Sequence, residues 1–224
     1  MAKKEATKST AKKKVTKEKL IDYYMDTVLE TEKIPKSVYK FAKDNKFEEQ
    51  EFYTHFGSFD SLRKDIWNQF YHKSRDLMKK SPEVEQFSSR EKLLTFYFTF
   101  FEMLTVNRSY VLFNLNQYDS PMKNIGQLRG LRKNVKSFAK DLIEDDNMDK
   151  NAKYLQRNEL IFSEGAWAQT LFLIKFWMDD DSAEFEKTDI VIEKSVNTVF
   201  DVFDNTPLER VVDFGKFLWK ERSA

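Results

Sequence analysis

The 224-residue chain carries only 5 Gly and 4 Pro, where average usage would give about 12 % of the two combined. These are the residues that turn and interrupt a backbone. A chain this long with so few of them has few sharp turns, which points to a set of long helices. The apolar spacing agrees. Hydrophobic residues recur at three- and four-residue intervals, and no stretch alternates as a strand would. The sequence predicts an all-α fold.

The 21 Phe supply large apolar groups for a core, although apolar residues make up only 41 % of the chain. The 33 % of charged residues suits helices with solvated outer faces. Cysteine is absent, which excludes disulfides and thiolate metal sites and fits a reducing compartment. No run approaches the roughly 18 apolar residues of a membrane span, and the N-terminus has no apolar signal-like region. A cytoplasmic protein without membrane association is expected. His55 and His72 are too far apart in sequence to pair as metal ligands on one helix, and no phosphate-cradling glycine loop or nucleophile elbow occurs. The expectation is a protein that is not an enzyme and needs no metal or cofactor. Asp179-Asp180-Asp181 reads as a solvated loop between helices; a cation site is the other reading, without calcium-loop spacing.

Charge is unevenly spread. Residues 1–19 hold eight Lys and two Glu, a charge of +6 against +1 for the whole chain, so the remainder is −5. Residues 1–16 read as a basic tail. It is either a solubilising segment or an arm that gains phosphate contacts by releasing counterions.

Four helices fit into 17–80: one over 19–29, a short one over 37–45, a third over 48–56 after a tight turn at Lys46-Phe47, and a fourth capped by Ser58. The fourth carries Leu62, Ile66, Trp67, Phe70 and Tyr71 on one face. Residues 82–89 are a polar connection, so a second domain is expected over 81–224. Its first helix, 91–106, is apolar nearly all round. Further helices are predicted over 110–115, 128–143, 155–178 and 184–204, with loops at 119–126 and 144–151. Thr206-Pro207-Leu208-Glu209 is a capping box that opens a final helix.

A short helix, a turn and a second helix, set between two longer ones, form a helix-turn-helix unit. The spacing resembles the TetR/AcrR family of bacterial repressors. That family ends its recognition helix in a pattern matched here by Tyr53-Thr54-His55-Phe56, and Phe41, Ala42, Phe47 and Phe52 match its core positions. The resemblance spans residues 17 to about 205, with a body ending in two long helices. The departures lie on the side that would face DNA. Lys46 stands where the family has a turn glycine, Glu48 where a small residue caps the recognition helix, and Phe59 where a lysine opens the next helix. Glu49, Gln50 and Glu51 occupy positions that are often basic, small or polar. Glutamates repel phosphate, yet in a first helical turn they stabilise the helix by about 0.3–1 kcal/mol each, and they accept from cytosine N4.

The resemblance implies a homodimer whose small domains bind two DNA half-sites and whose larger domains bind a hydrophobic small-molecule effector that shifts half-site spacing. Lys36, Lys43, Lys46, Tyr53, His55 and Lys64 would hold phosphates, and Gln50 would reach base edges. In the larger domain Phe96, Phe100, Glu102, Trp167 and Phe172 would line the effector site. The dimer is expected through the helices at 155–178 and 184–204, the latter with Ile192, Val196, Val199, Phe200 and Phe203 on one stripe. The alternative is a ligand- or protein-binding module on the same scaffold without DNA binding. The stripe Thr95, Thr99 and Glu102 raises a similar choice: the solvent face of a core helix, or polar anchors in an aromatic pocket.

Overall fold

The computed structural model describes residues 14–118, 120–148 and 158–205. The described residues form ten α-helices and no strand. Compact packing divides them between Ile66 and Trp67. The division falls inside a helix, upstream of the connection at 82–89.

The first unit contains α1 (Lys17–Thr31), α2 (Val38–Asp44), α3 (Glu49–Tyr53) and the start of α4 (Phe59–Lys79). Local chemistry sets each boundary. The Thr16 hydroxyl accepts from Lys19 N–H at the start of α1, and that of Ser37 accepts from Lys40 N–H at α2. Ser58 and Ser61 cap α4 reciprocally, each hydroxyl accepting from the other's backbone N–H. The core is aromatic. Phe41 meets Phe47, Phe52 and Phe59 edge-on at 5.4, 6.2 and 5.4 Å, and Tyr24 stacks on Phe59 at 5.6 Å. Between α2 and α3 the backbone turns through Lys46 at φ 60°, the left-handed region that glycine prefers. The turn closes with Phe47 N–H donating to Ala42 C=O at 3.0 Å.

The second unit contains the rest of α4, a 3-10 turn at Pro82–Gln86, and α5 (Ser89–Val106), α6 (Arg108–Leu115), α7 (Pro121–Gly126), α8 (Arg129–Met148), α9 (Glu159–Asp179) and α10 (Glu186–Asn205). Ser88 and Glu91 form the capping box of α5. Helix α5 buries Leu93, Phe96, Tyr97, Phe100, Phe101 and Leu104. Phe96 meets Tyr71 at 5.5 Å, Phe100 at 5.6 Å and Phe138 at 5.3 Å. The buried Tyr97 hydroxyl donates to Ala166 C=O at 3.0 Å and lies 3.1 Å from Thr170 Oγ1. Burial pushes this phenol up, against the opposing effect of its contact with the Thr170 hydroxyl, so it stays protonated. On α10, Ile192, Val196 and Phe200 are buried, and Phe200 packs edge-on against Phe162 at 5.2 Å. That stripe therefore packs within the chain, contrary to the expectation that it faces a second copy.

Three further expectations are corrected. Residues 121–126 are helical, because Pro121 at a first helical position starts a helix. Helix α8 continues through Met148, since the carboxylates at its end do not break a helix that runs on into solvent. The triplet Asp179-Asp180-Asp181 is a built corner. Asp180 is buried and accepts from the backbone N–H and hydroxyl groups of Ser182 and Thr188 at 2.6–2.9 Å. Asp179 pairs with Lys175, and Asp181 with Lys187. Arg108 closes the corner by donating to the carbonyls of Trp177, Met178 and Asp180. The expected capping box at 206–209 and the helix after it lie outside the described residues.

The Lys46 turn and the Asp180 corner each generate a prediction. A left-handed residue other than glycine costs about 1–2 kcal/mol, partly offset by glycine's larger unfolded-state entropy. Lys46→Gly therefore raises stability by up to about 1 kcal/mol, and Lys46→Val lowers it by about 1 kcal/mol or more, read by urea denaturation. At Asp180 burial acts to raise the carboxyl pKa, but the hydrogen bonds from Ser182 and Thr188 outweigh it and hold the group at about 2, below the ordinary 3.8. A depressed folded value gives stability that is present above the ordinary pKa and lost as pH falls towards the folded one. The wild type loses this contribution between about pH 4 and pH 2, and Asp180→Asn is less stable at neutral pH but lacks that part of the acid dependence.

Candidate nucleic-acid interface

Helix α3 has five residues, and its buried residue is Phe52. Phe52 meets Phe56 at 5.9 Å and Phe59 at 5.3 Å, which fixes the roll of α3 about its axis. With Phe52 inward, Gln50 and Tyr53 point outward. The same logic on α2 buries Phe41 and Ala42 and leaves Tyr39, Lys40 and Lys43 exposed. The outward residues meet across the Lys46 turn. They form an open groove with Ala42 and Phe47 in its floor, Lys43, Lys46 and Gln50 on its rim, and Tyr39 and Tyr53 beside it. Tyr39 is 63 % exposed and Tyr53 52 %, unusual for rings of this size. The Tyr53 hydroxyl donates to Glu49 Oε1 at 3.3 Å. Desolvation, and then the Glu49 carboxylate, push the phenol up, so it remains a donor.

The glutamates also have structural partners. Glu51 Oε2 accepts from Glu48 N–H at 2.9 Å, the return half of a capping box, and Glu51 Oε1 accepts from Val15 N–H at 3.0 Å. Two backbone donors thus engage both oxygens of Glu51. Glu48 and Glu49 line the groove beside Lys43 and Lys46.

Of the residues expected to face DNA, the groove brings together Lys43, Lys46, Gln50 and Tyr53. Lys36, His55 and Lys64 do not line it. Lys36 is exposed just before α2. Lys64 pairs with Asp60, whose carboxyl is held low first by the hydrogen bond from Lys64. The His55 ring Nε2 lies 3.1 Å from Val15 C=O. Tyr39 was not among the expected residues. Its signal was a large aromatic off the inward stripe of α2, on the helix face that carries lysines.

In the second unit, Phe96 and Phe100 stack in the core and Trp167 is buried. Glu102 is exposed and Phe172 is 53 % exposed, so these five residues do not converge on one cavity. The Thr95 and Thr99 hydroxyls donate to carbonyls of their own helix. A cavity of about 330 Å³ lies elsewhere, lined by Arg75, Met78, Val84, Lys92, Phe138 and Leu142 among others. The Arg75 guanidinium sits 3.8 Å from the Phe138 ring centroid, and burial lowers its pKa. Phe138 in turn packs on Phe96, which couples this cavity to the α5 core. No group of acidic or histidine side chains suited to a metal occurs among the described residues, and no described helix is long and apolar enough to cross a membrane.

The described residues thus form a small helical unit with an exposed turn, followed by a larger all-α unit. Residues 92–218 match the family model described as "Tetracyclin repressor-like, C-terminal domain", over more than half of the chain, and the protein belongs to that family. No curated protein matches it significantly.

The two readings of α5 differ in energy. Phe100→Ala opens a cavity in a packed core and costs about 3–5 kcal/mol. Glu102→Gln changes an exposed group and stays within about 0.5 kcal/mol. Chemical denaturation of both variants checks the contrast.

Proposed function

We propose that this chain is a one-component transcriptional regulator, which binds DNA as a homodimer and responds to a hydrophobic small molecule. The observation that carries the DNA reading is the groove between α2 and α3. It presents Lys43 and Lys46 for phosphates, Tyr39 and Tyr53 as donors to phosphate, and Gln50 for a base edge, and a helix-turn-helix presents its contacts in this way. Lys36, His55 and Lys64 are then accessory to the interface. The chain's family membership supports the same reading.

The dimer reading rests on apolar residues that α9 and α10 turn outward. Leu160 is 69 % exposed, Phe172 53 %, Ile190 51 % and Val202 41 %, and Ala168 lies between Leu160 and Phe172 on the same face of α9. The effector reading rests on the cavity beside Phe138. Its volume is at the small end of ligand sites, and its lining sets Met78, Val84, Phe138 and Leu142 beside three basic groups, Arg75, Lys79 and Lys92, and three acidic ones, Glu85, Asp141 and Asp145, which suits an apolar molecule with a polar end.

A gel shift on the chain's own upstream DNA tests the proposal. Lys43→Glu with Lys46→Glu lowers affinity on the order of a hundredfold, with a shallower salt dependence. Phe172→Glu yields a monomer by light scattering and loses cooperative binding to paired half-sites. Absence of any shift by the wild type at about 50 mM salt contradicts the proposal and favours a ligand- or protein-binding module on this scaffold.

A further inference from the structure

Two helix faces of opposite charge go unanswered among the described residues. From Ser120 to Lys140 the sequence holds six cations, Lys123, Arg129, Arg132, Lys133, Lys136 and Lys140, and no Asp or Glu. Half of them find carboxylates on α8 and α9. Arg132 and Lys136 share Glu164, and Lys140 pairs with Glu144 and Glu159. Arg129 and Lys133, one turn apart on α8, are exposed and form no ion pair among the described residues. Ile125, four residues before Arg129, is 38 % exposed, and the neighbouring Met122 is 79 % exposed. Helix α1 carries the opposite pattern. Glu18, Asp22, Asp26 and Glu30 recur every fourth residue and are all exposed. They follow one face over about 18 Å, where like charges a turn apart repel. The lysines of α1 are engaged elsewhere: Lys17 pairs with Asp65, and Lys19 lies 4.9 Å from the Tyr23 ring centroid. Asp22, Asp26 and Glu30 form no ion pair among the described residues. Leu29, beside Glu30, is also exposed.

We propose that the acidic face of α1 in one copy docks on the basic face of α7 and α8 in another, head to tail. Run antiparallel, α1 sets Asp22 against Lys133, Asp26 against Arg129 and Leu29 against Ile125. Both charged rows repeat every fourth residue, about 6 Å, so the pairing stays in register from one turn to the next. A second copy is favoured over an unrelated acidic partner because the chain itself supplies a carboxylate row of matching spacing. A net charge of +1 also leaves copies with little long-range repulsion, and the opposite patches orient their encounter. The two faces are different surfaces, so the contact is heterologous: each end of a pair keeps one face free, and copies add in a row. This contact uses neither the groove between α2 and α3 nor the exposed apolar residues of α9, and it stands whether or not the chain binds DNA.

Sedimentation velocity of the full-length chain tests this, from about 5 to 500 µM protein and at about 50 and 500 mM salt. At low salt the mass rises with concentration beyond that of the micromolar species, and high salt suppresses the rise. Arg129→Glu with Lys133→Glu lowers the association constant at least about tenfold, because like charges then meet, and so does Asp22→Lys with Asp26→Lys. Mixing the two variants restores association, since each supplies the face that the other has reversed. The same pattern appears in a Phe172→Glu background, which separates it from any contact through α9. Circular dichroism checks that the variants fold. The neutral pairs, Arg129→Gln with Lys133→Gln and Asp22→Asn with Asp26→Asn, weaken association in the same direction and serve if a reversal unfolds the chain. A mass independent of concentration at low salt overturns the proposal. Loss on reversing α8 alone, with α1 reversal silent and mixing without effect, also overturns it and assigns the basic face to a different acidic surface.

Discussion

A helix of five residues has no stability of its own; isolated helices shorter than about 12 residues are marginal in water. Helix α3 exists because Phe52 is buried among Phe41, Phe56 and Phe59. That one side chain sets where α3 sits, how far it is rotated, and which residues it shows to solvent. Burying an aromatic ring of this size contributes about 1.5–3 kcal/mol, enough to offset the ordering of a few residues. The candidate interface is a consequence of this packing. Gln50 and Tyr53 face outward because Phe52 faces inward, and Lys43 and Lys46 reach the same groove because Phe41 and Phe47 interlock at 5.4 Å across the turn.

The charges of the groove follow from the same economy. A helix this short has unsatisfied N–H groups over most of its length. Glu51 turns back to cap Glu48 N–H, and the acidic first turn suits the helix dipole. Glutamates that look misplaced beside phosphates are thus part of what makes α3 a helix. Lys43 and Lys46 answer them on the groove's rim, and the lysines preceding α1 add cationic charge from the same side of the sequence. In the proposed DNA-binding role, affinity would come from Lys43 and Lys46 beside α3, while α3 itself would contribute orientation and a base contact through Gln50.

Local rules made much of the fold legible, and failed where the deciding contact is not local. Ser58 before an apolar run marked the start of α4, and Leu62, Ile66, Trp67, Phe70 and Tyr71 are all buried as their spacing implied. The tight turn at Lys46-Phe47 was visible in the sequence, but a lysine there gave no sign that the backbone takes a left-handed φ of 60°. Pro121 reads in sequence as loop punctuation, although a proline at the first helical position starts helices as readily as one beyond the last ends them. Periodicity located the Phe200 stripe but could not say whether Phe162 of the same chain or a second copy covers it. For Thr95, Thr99 and Glu102 a polar stripe on an aromatic helix fitted both a solvent face and a pocket, and the exposure of Glu102 fits the former. No window of sequence connects Val15 with Glu51, since 36 residues separate them and only the path of α1 brings them together.

Nuclear magnetic resonance of the full-length protein, titrated with a short duplex at low salt, tests the central claim most directly. If the groove set by Phe52 is the DNA-reading surface, the largest amide shifts fall on Lys43, Lys46, Gln50 and Tyr53, with side-chain shifts at the Tyr39 and Tyr53 rings. The buried amides of Phe41 and Phe52 move little, because the packing that builds the surface is already formed. Shifts confined to residues preceding α1, with the groove silent, would contradict the account and reduce the chain's affinity for DNA to the attraction of a basic tail.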